Sequence, residues 1–427
     1  MTATWPPLDH EEVAWVPSGR PTAGFRAEPF GSTVFRAAVP PLIGALDPAP
    51  SPEVRALAED ASLELTRFDA TLGGEVAAFA PLLLRSEALA SSRIENLTAN
   101  ARSVFSAELG DERKRNATLI AANTRAMSAA IDLADELTRA SVLTMHATLM
   151  SADPRHTPGA LRNEQVWIGR SSASPLGAEF VAPVSARVPG LLDDCLEFAR
   201  RDDLPVLVQA AVTHAQFETI HPFTDGNGRT GRSLTQAMLR SKGVTRSVTV
   251  PVSAGLLTDV DAYHRALTAY RAGELDPIVR LTAEASLRAV ANARTLVDEL
   301  HDVRASWSTR VTARSDSSVW RLLDLLVHQP VLDATTAASR LSLAPSNVYP
   351  LLRRLVESGV LKEKAEYKMG TIWRADDVLE ALDAFAARSG RRGEATVLSR
   401  APRLNVGGAE QDGNDDRRAR PLLPRDP

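Results

Sequence analysis

A mainly α-helical chain is expected, with one small β-hairpin near its middle and a separate helical unit, with its own hairpin, towards the C-terminal end. Three observations predict this. Apolar residues recur at helical spacing from about Ser51 to residue 311, with breaks. One stretch alone reads as paired strands, Val166-Trp167-Ile168-Gly169 facing Glu179-Phe180-Val181 across a Ser/Gly/Pro loop. From about Ser317 the pattern restarts as three helices and a hairpin.

Taken in order, the elements rest on local signals. Ten of the 27 prolines precede residue 53, which predicts an extended, loop-like N-terminal segment lying over the body. Ala56, Leu63, Leu65, Phe68 and Leu72 keep to one face of a first helix, and Glu75 to Ala90 repeats the theme. Pro154 and Pro158-Gly159 interrupt the helices before the hairpin. Helical spacing resumes at Val188, and Val206, Ala210, Thr213, Phe217 and Ile220, spaced 4, 3, 4 and 3, mark a buried face. In the last unit Asp333 to Leu341 is a short helix, and a turn through Leu343-Ala344-Pro345 leads to another that Gly359 ends. A start at Ser346 or Asn347 would put Pro350 in a first turn. Leu361 to Glu366 then pairs with Ile372 to Ala375 around Lys368-Met369-Gly370. After Gly390 the Arg/Gly/Pro/Asp-rich tail has no apolar period and is expected to be disordered.

Composition narrows the function classes. With 44% hydrophobic and 24% charged residues, the 427-residue chain is globular, and 49 Lys+Arg against 53 Asp+Glu gives −4, too acidic for a general nucleic-acid or membrane field. One cysteine, Cys195, excludes a disulfide framework and a cysteine-cluster zinc site. The N-terminus lacks a secretory pattern and no apolar run approaches 18 residues, so a cytoplasmic protein without membrane partners is expected.

The chemistry concentrates in Thr219-Ile-His-Pro-Phe-Thr-Asp-Gly-Asn-Gly-Arg-Thr-Gly-Arg232. Gly226, Gly228 and Gly231 let successive backbone N–H groups turn inward, and the helix beginning near Arg229 aims its positive end at the same point, an anion nest. Arg229 and Arg232 add planar donor forks for phosphate. His221 is a base near neutrality, and Asp225 a hard ligand for Mg²⁺ beside a polyphosphate. These are the parts for transfer at phosphorus. Read alone, Asp-Gly-Asn-Gly is a surface turn. Neither the P-loop nor the dinucleotide fingerprint is present, and His214 with His221 lacks the HExxH arrangement of zinc hydrolases.

HPFTDGNGRTGR resembles the Fic signature, HxFx(D/E)GNGRxxR, and matches it at every specified position. RNEQVWIG and AEFVAPVSARVP resemble that family's flap hairpin and its continuation. LLLRSEALASSRIENL is similar to the inhibitory helix of some members. DAYHRALTAYRAGE resembles the segment after the core, with His264 where tyrosine is usual. The resemblance runs from about Val39 to Arg388. It implies a helical bundle with a small β-hairpin flap, transferring AMP from ATP to a Ser, Thr or Tyr hydroxyl of a target protein. His221 would be the catalytic base. Gly226, Asn227 and Gly228 would hold the α-phosphate, Asp225 the Mg²⁺, and Arg229 and Arg232 the remaining phosphates. Thr230 and Gly231 belong to the same nucleotide-binding loop. Ile168, Gly169 and Tyr263 would touch the nucleotide, Phe223 would anchor the loop, and the flap edge could align a target strand. The same loop is compatible with AMP removal or transfer of another phosphoryl or nucleotidyl group.

Ser91-Ser92-Arg93-Ile94-Glu95-Asn96 resembles the inhibitory motif (S/T)xxxE(G/N), which implies that Ser91, Glu95 and Asn96 regulate, with Glu95 taking the Arg232 fork that the γ-phosphate needs. Ser92-x-x-Glu95 also reads as a capping box. Residues 317–388 resemble a winged helix-turn-helix. Between Arg340 and Arg374 seven Lys/Arg face three Asp/Glu, and Arg353, Arg354, Lys362 and Lys364 are the candidate DNA contacts; protein docking, or support of a homodimer, is the other reading. The expected division is 1–110 (N-terminal segment with the inhibitory motif), 111–311 (catalytic core), 317–388 (winged helix) and 389–427 (tail). A nucleotide-sensing DNA-binding regulator is the alternative from another class.

Overall fold

Buried stripes at helical spacing explain most of the architecture in this computed structural model, which describes residues 5–15, 33–72, 79–153, 155–169, 174–366, 370–390 and 403–406. The N-terminal segment contains antiparallel strands β1 (Asp9–Trp15) and β2 (Thr33–Val39), not the loop the prolines suggest. Its prolines flank or lie between the strands, and Phe35 and Ala37 pack with Trp167 of the later hairpin. Helix α1 (Pro52–Leu72) buries Val54, Ala58, Ala61, Leu65 and Phe68, while Leu63 is 48% exposed and Ala56 faces solvent. The inward face is thus rotated from the expected one.

Helices α2 (Ala80–Ile94), α3 (Ala101–Glu108), α4 (Arg115–Asp132) and α5 (Arg139–Met150) follow. Strands β3 (Val166–Gly169) and β4 (Phe180–Val181) form the expected hairpin, with Trp167 opposite Val181 and Ile168 opposite Phe180. Then come α6 (Val188–Arg200), α7 (Val206–Ile220), α8 (Asn227–Ser241), α9 (Val252–Leu256), α10 (Val260–Arg271) and the 35-residue α11 (Asp276–Arg310). Helix α7 is buried along nearly its whole length. Such a helix can carry polar side chains only where they find partners or line a cavity.

The C-terminal unit comprises α12 (Ser318–His328), β5 (Val331–Asp333), α13 (Ala334–Leu341), α14 (Pro345–Glu357), β6 (Lys362–Glu366), β7 (Gly370–Arg374) and α15 (Asp376–Gly390), with sheet order β5-β7-β6. Strand β5 was not foreseen, being three residues long. Helix α14 starts at Pro345, which places Pro350 past the first turn, inside the helix. Helix α15 extends past the expected end at residue 388. Within the expected disordered tail, β8 (Arg403–Val406) pairs antiparallel with β3, so the chain itself covers the flap edge expected to be open. An unpaired edge offers a row of free backbone groups, and four alternating residues suffice to take them. The remaining tail residues and Lys368 lie outside the described residues. Among the described residues, no helix is long and apolar enough to cross a membrane.

Candidate active site

Helix α7 ends at His221, whose φ of 52° is left-handed, and its N–H donates to the Phe217 carbonyl at 2.9 Å. A non-glycine residue in this region needs outside support. Arg162, buried, supplies it: its Nε donates to the His221 carbonyl at 2.8 Å and its Nη2 to the Pro183 carbonyl at 2.6 Å. Burial, then the Arg162 charge, lowers the His221 pKa to about 3. Nδ1 lies 3.3 Å from the Glu218 carbonyl oxygen, while Nε2 is buried without a partner.

The following loop is pinned on both sides. Asn227 accepts from the Phe223 N–H and donates to the Phe223 carbonyl, both at 2.9 Å. Its side chain thereby shapes the loop. Phe223 is fully buried and stacks on His146 at 3.7 Å, as an anchor should. His146 accepts from Gly159 N–H and lies 3.1 Å from the Asp225 carbonyl through Nε2; burial lowers its pKa to about 4. Nothing in the motif pointed to His146, because it lies on α5, about 80 residues away.

Gly226 has φ 77°, and a Cβ there would meet Leu149 and Met150 at 3.1 Å. A Cβ on Gly228 would collide with the Glu95 carboxylate. Gly231 lets α8 approach α7, with Phe217 and His214 about 3 Å from where its Cβ would be. Thr230 is buried, and its N–H donates to Gly226 at 2.9 Å. Asp225 accepts from Gly226 N–H through Oδ1 at 2.7 Å, leaving Oδ2 3.6 Å from both Arg229 and His156. Asp153, His156 and Asp225 bring potential metal-ligating atoms within 4.8 Å of one another.

Arg232 is almost wholly buried. Its Nε donates to Ser91 Oγ at 2.9 Å, and its Nη2 to the Ser91 carbonyl and Glu95 Oε1, each at 2.8 Å; Nη1 has no partner. Burial works to raise the Glu95 pKa, but the neighbouring guanidinium outweighs it and the net shift is downward. Glu95 is the C-cap of α2, so the capping-box reading fails: a capping box stands at a helix start, and here Ser92 Oγ donates to the Ala88 carbonyl within the last turn. Asn96, at φ 61°, closes the helix. Its N–H donates to Arg93 and that of Leu97 to Ser92, both at 3.0 Å, the two bonds of a Schellman ending.

Glu95, His221 and the loop residues Asp225 to Arg229 line one cavity of about 340 Å³ together with Ile168, Phe180, Glu218, Tyr263, His264 and Arg271. Tyr263 donates to or accepts from His214 Nε2 at 2.8 Å. Gly169 serves the hairpin, since a Cβ there would meet Ala178 at 3.0 Å. Glu218 and Arg271 were missed. Burial, then the Glu95 charge, raises the Glu218 pKa to about 7, and its Oε2 is 4.0 Å from His221 Nδ1. The Arg271 guanidinium lies 3.7 Å over the Phe180 ring of the flap. Their signal in the sequence was a charged residue on an otherwise buried helical face. Arg353, Arg354, Lys362 and Lys364 are exposed on the C-terminal unit; Lys362 is paired with Asp376 at 2.8 Å.

Residues 136–239 match the family model described as the Fic/DOC family. The chain is similar to the protein adenylyltransferase fic-1 of Caenorhabditis elegans, 31% identical over 36% of this chain and 28% of the relative. It is also similar to a probable protein adenylyltransferase, aq_aa38, of Aquifex aeolicus, 34% identical over 19% of this chain and 28% of the relative. The chain therefore spans little over a quarter of the length of these relatives. Among solved structures, a Fic family protein from Desulfovibrio desulfuricans is similar with a TM-score of 0.48 and 22% identity, over 77% of this chain and 97% of that one.

Proposed function

Because this chain carries a Fic/DOC-family domain at residues 136–239, we propose that it is a protein adenylyltransferase, moving AMP from ATP to a hydroxyl of a target protein. One observation carries the reading: an unpartnered, neutral His221 Nε2 and the glycine nest with Arg229 open into the same cavity.

In the reaction the target's Ser, Thr or Tyr oxygen attacks the α-phosphorus while the bond from that phosphorus to the bridging oxygen breaks. Pyrophosphate leaves with the bond's electron pair, and His221 Nε2 takes the hydroxyl proton. The amides from Gly226 to Gly228, at the positive end of α8, hold the α-phosphate and its developing charge. Arg229, its Nε buried and unpartnered, takes the outer phosphates. Asp225 fits a Mg²⁺ site, since Oδ1 is fixed by an N–H while the carboxylate is 37% exposed to the cavity; a bound Mg²⁺ would neutralise phosphate charge there. Tyr263, Ile168 and Phe180 form the wall for the nucleoside.

The ion pair of Glu95 with Arg232 is read as a brake: with the guanidinium held by Glu95 and Ser91, its fork is not free for a γ-phosphate. The C-terminal unit is read as a winged helix, with Arg353 and Arg354 as the residues that would meet DNA. The test of transfer is ATP labelled at the α- or γ-phosphate, incubated with the Glu95→Gly protein and lysate. Adenylylation predicts protein-bound label from the α position only; label from γ alone would overturn it in favour of phosphate transfer.

A further inference from the structure

A second cavity, of about 570 Å³, opens between the first turns of α2, the middle of α4, the end of α8 and the 245–249 segment. Four arginines line it: Arg85, Arg125, Arg240 and Arg246. Arg85 is neutralised by Glu108, bonded at 2.9 to 3.0 Å. The other three are exposed, with no acidic partner within ion-pair distance among the described residues. The nearby carboxylate of Asp69 forms no ion pair with them, and its Oδ1 accepts the N–H groups of Ser247 and Val248 at 2.7 and 2.8 Å.

Three uncompensated guanidinium groups around one concavity repel one another and focus a positive field inside it. Pro81, Leu84, Ile131 and Val248 form an apolar patch on a wall that also carries hydroxyls, among them Thr124, Ser128 and Thr249. A volume within the usual 300–1,000 Å³ of ligand sites, an apolar patch, hydroxyl donors and three planar donor forks suit a ligand with a flat body and several phosphate oxygens. We propose that this cavity is a second, non-catalytic site for a nucleoside polyphosphate. Its walls are the far ends of α2 and α8, the two helices whose other ends carry Glu95 and Arg232. The inference does not depend on the transfer reaction.

The test is photo-crosslinking of the full chain with 8-azido-ADP in EDTA, with labelled peptides located by mass spectrometry. Label is expected on peptides containing residues 80–85, 124–131 or 240–249, separately from any label in the catalytic cavity. Arg240→Glu with Arg246→Glu should reduce that label at least tenfold and leave the catalytic-cavity label in place. Arg125→Glu, on another helix, should do the same if the double variant folds poorly. Label confined to peptides of the catalytic cavity, or label at the second cavity that survives these charge reversals, would overturn the proposal.

Discussion

In the proposed transfer a histidine that takes a proton from a hydroxyl must arrive neutral, and burial would secure this for His221, whose pKa falls to about 3. Changing it to alanine should abolish transfer while ATP binding persists, because the nest and Arg229 remain; undiminished labelling by the variant would remove His221 from the mechanism. The same burial has a consequence for stability. His146, His214 and His221 are held at about 4, 3 and 3, below the ordinary 6.5, so below pH 6.5 the unfolded chain binds more protons than the folded one. Each then removes stability as pH falls, by about 1.4 kcal/mol per pH unit. Glu218, raised from 4.5 to about 7, acts oppositely: its contribution is present below pH 4.5 and lost as pH rises through 7. His264, also lowered by burial, adds to the histidines, and Glu87, raised by burial, adds to Glu218. The four histidines outweigh the two carboxyls, so the melting temperature should fall between pH 6.5 and 5. A rise over that interval, in a thermal melt without nucleotide, would contradict this balance.

At the scale of the element, α2 places a carboxylate at its own C-terminus, where the helix dipole disfavours it. Arg232 offsets this, which explains why an acidic residue persists at a cap that would otherwise favour a basic one. Glu95→Gly should therefore increase adenylylation, with label from the α-phosphate, and Glu95→Gly with His221→Ala should be silent again. An unchanged or lower activity in the single variant would sink the brake and leave the transfer loop standing. This element also marks what could be read from sequence. Ser91, Glu95 and Asn96 were legible as a motif, and the left-handed φ of Asn96 gives the physical reason for an Asn or Gly there. The loop from His221 to Arg232 was legible because its glycines, carboxylate and arginines sit together in the chain. His146, Arg162, Glu218 and Arg271 were not, since their meaning comes from folding distant segments onto that loop. Strands β1 and β2 escaped notice because Asp9–Trp15 is half charged and exposed along one face, and its pairing partner lies beyond a proline-rich connection.

Across the whole molecule, the C-terminal unit is joined to the helical body by more than a linker. If it meets DNA, Arg353→Ala with Arg354→Ala should weaken binding, and wild-type affinity should fall steeply with salt through counterion release. No DNA shifted at low ionic strength would favour a protein-docking role.

Removing residues 317–427 would expose packed faces of α11 and α2. Helix α15 lies against α11 and α2: Arg93 Nη1 donates to the Ala386 carbonyl at 2.7 Å, Arg388 bonds Glu299 at 2.7 and 3.0 Å, and Trp307 Nε1 donates to Asp377 at 2.8 Å. Phe385 is 1% exposed within the same apolar cluster as Leu82, Leu83, Ile94 and Leu300. Truncation would strip α2, which carries Glu95, of one supporting face. The shortened chain should thus melt lower and aggregate, and the milder Phe385→Ala should cost about 3–5 kcal/mol through its cavity. If loosened α2 also presents Glu95 less firmly, Phe385→Ala should raise α-label transfer at temperatures where the protein remains folded. That gain should vanish in Phe385→Ala with Glu95→Gly when compared with Glu95→Gly alone. A fully stable truncated chain with wild-type melting would instead make the C-terminal unit an independent passenger.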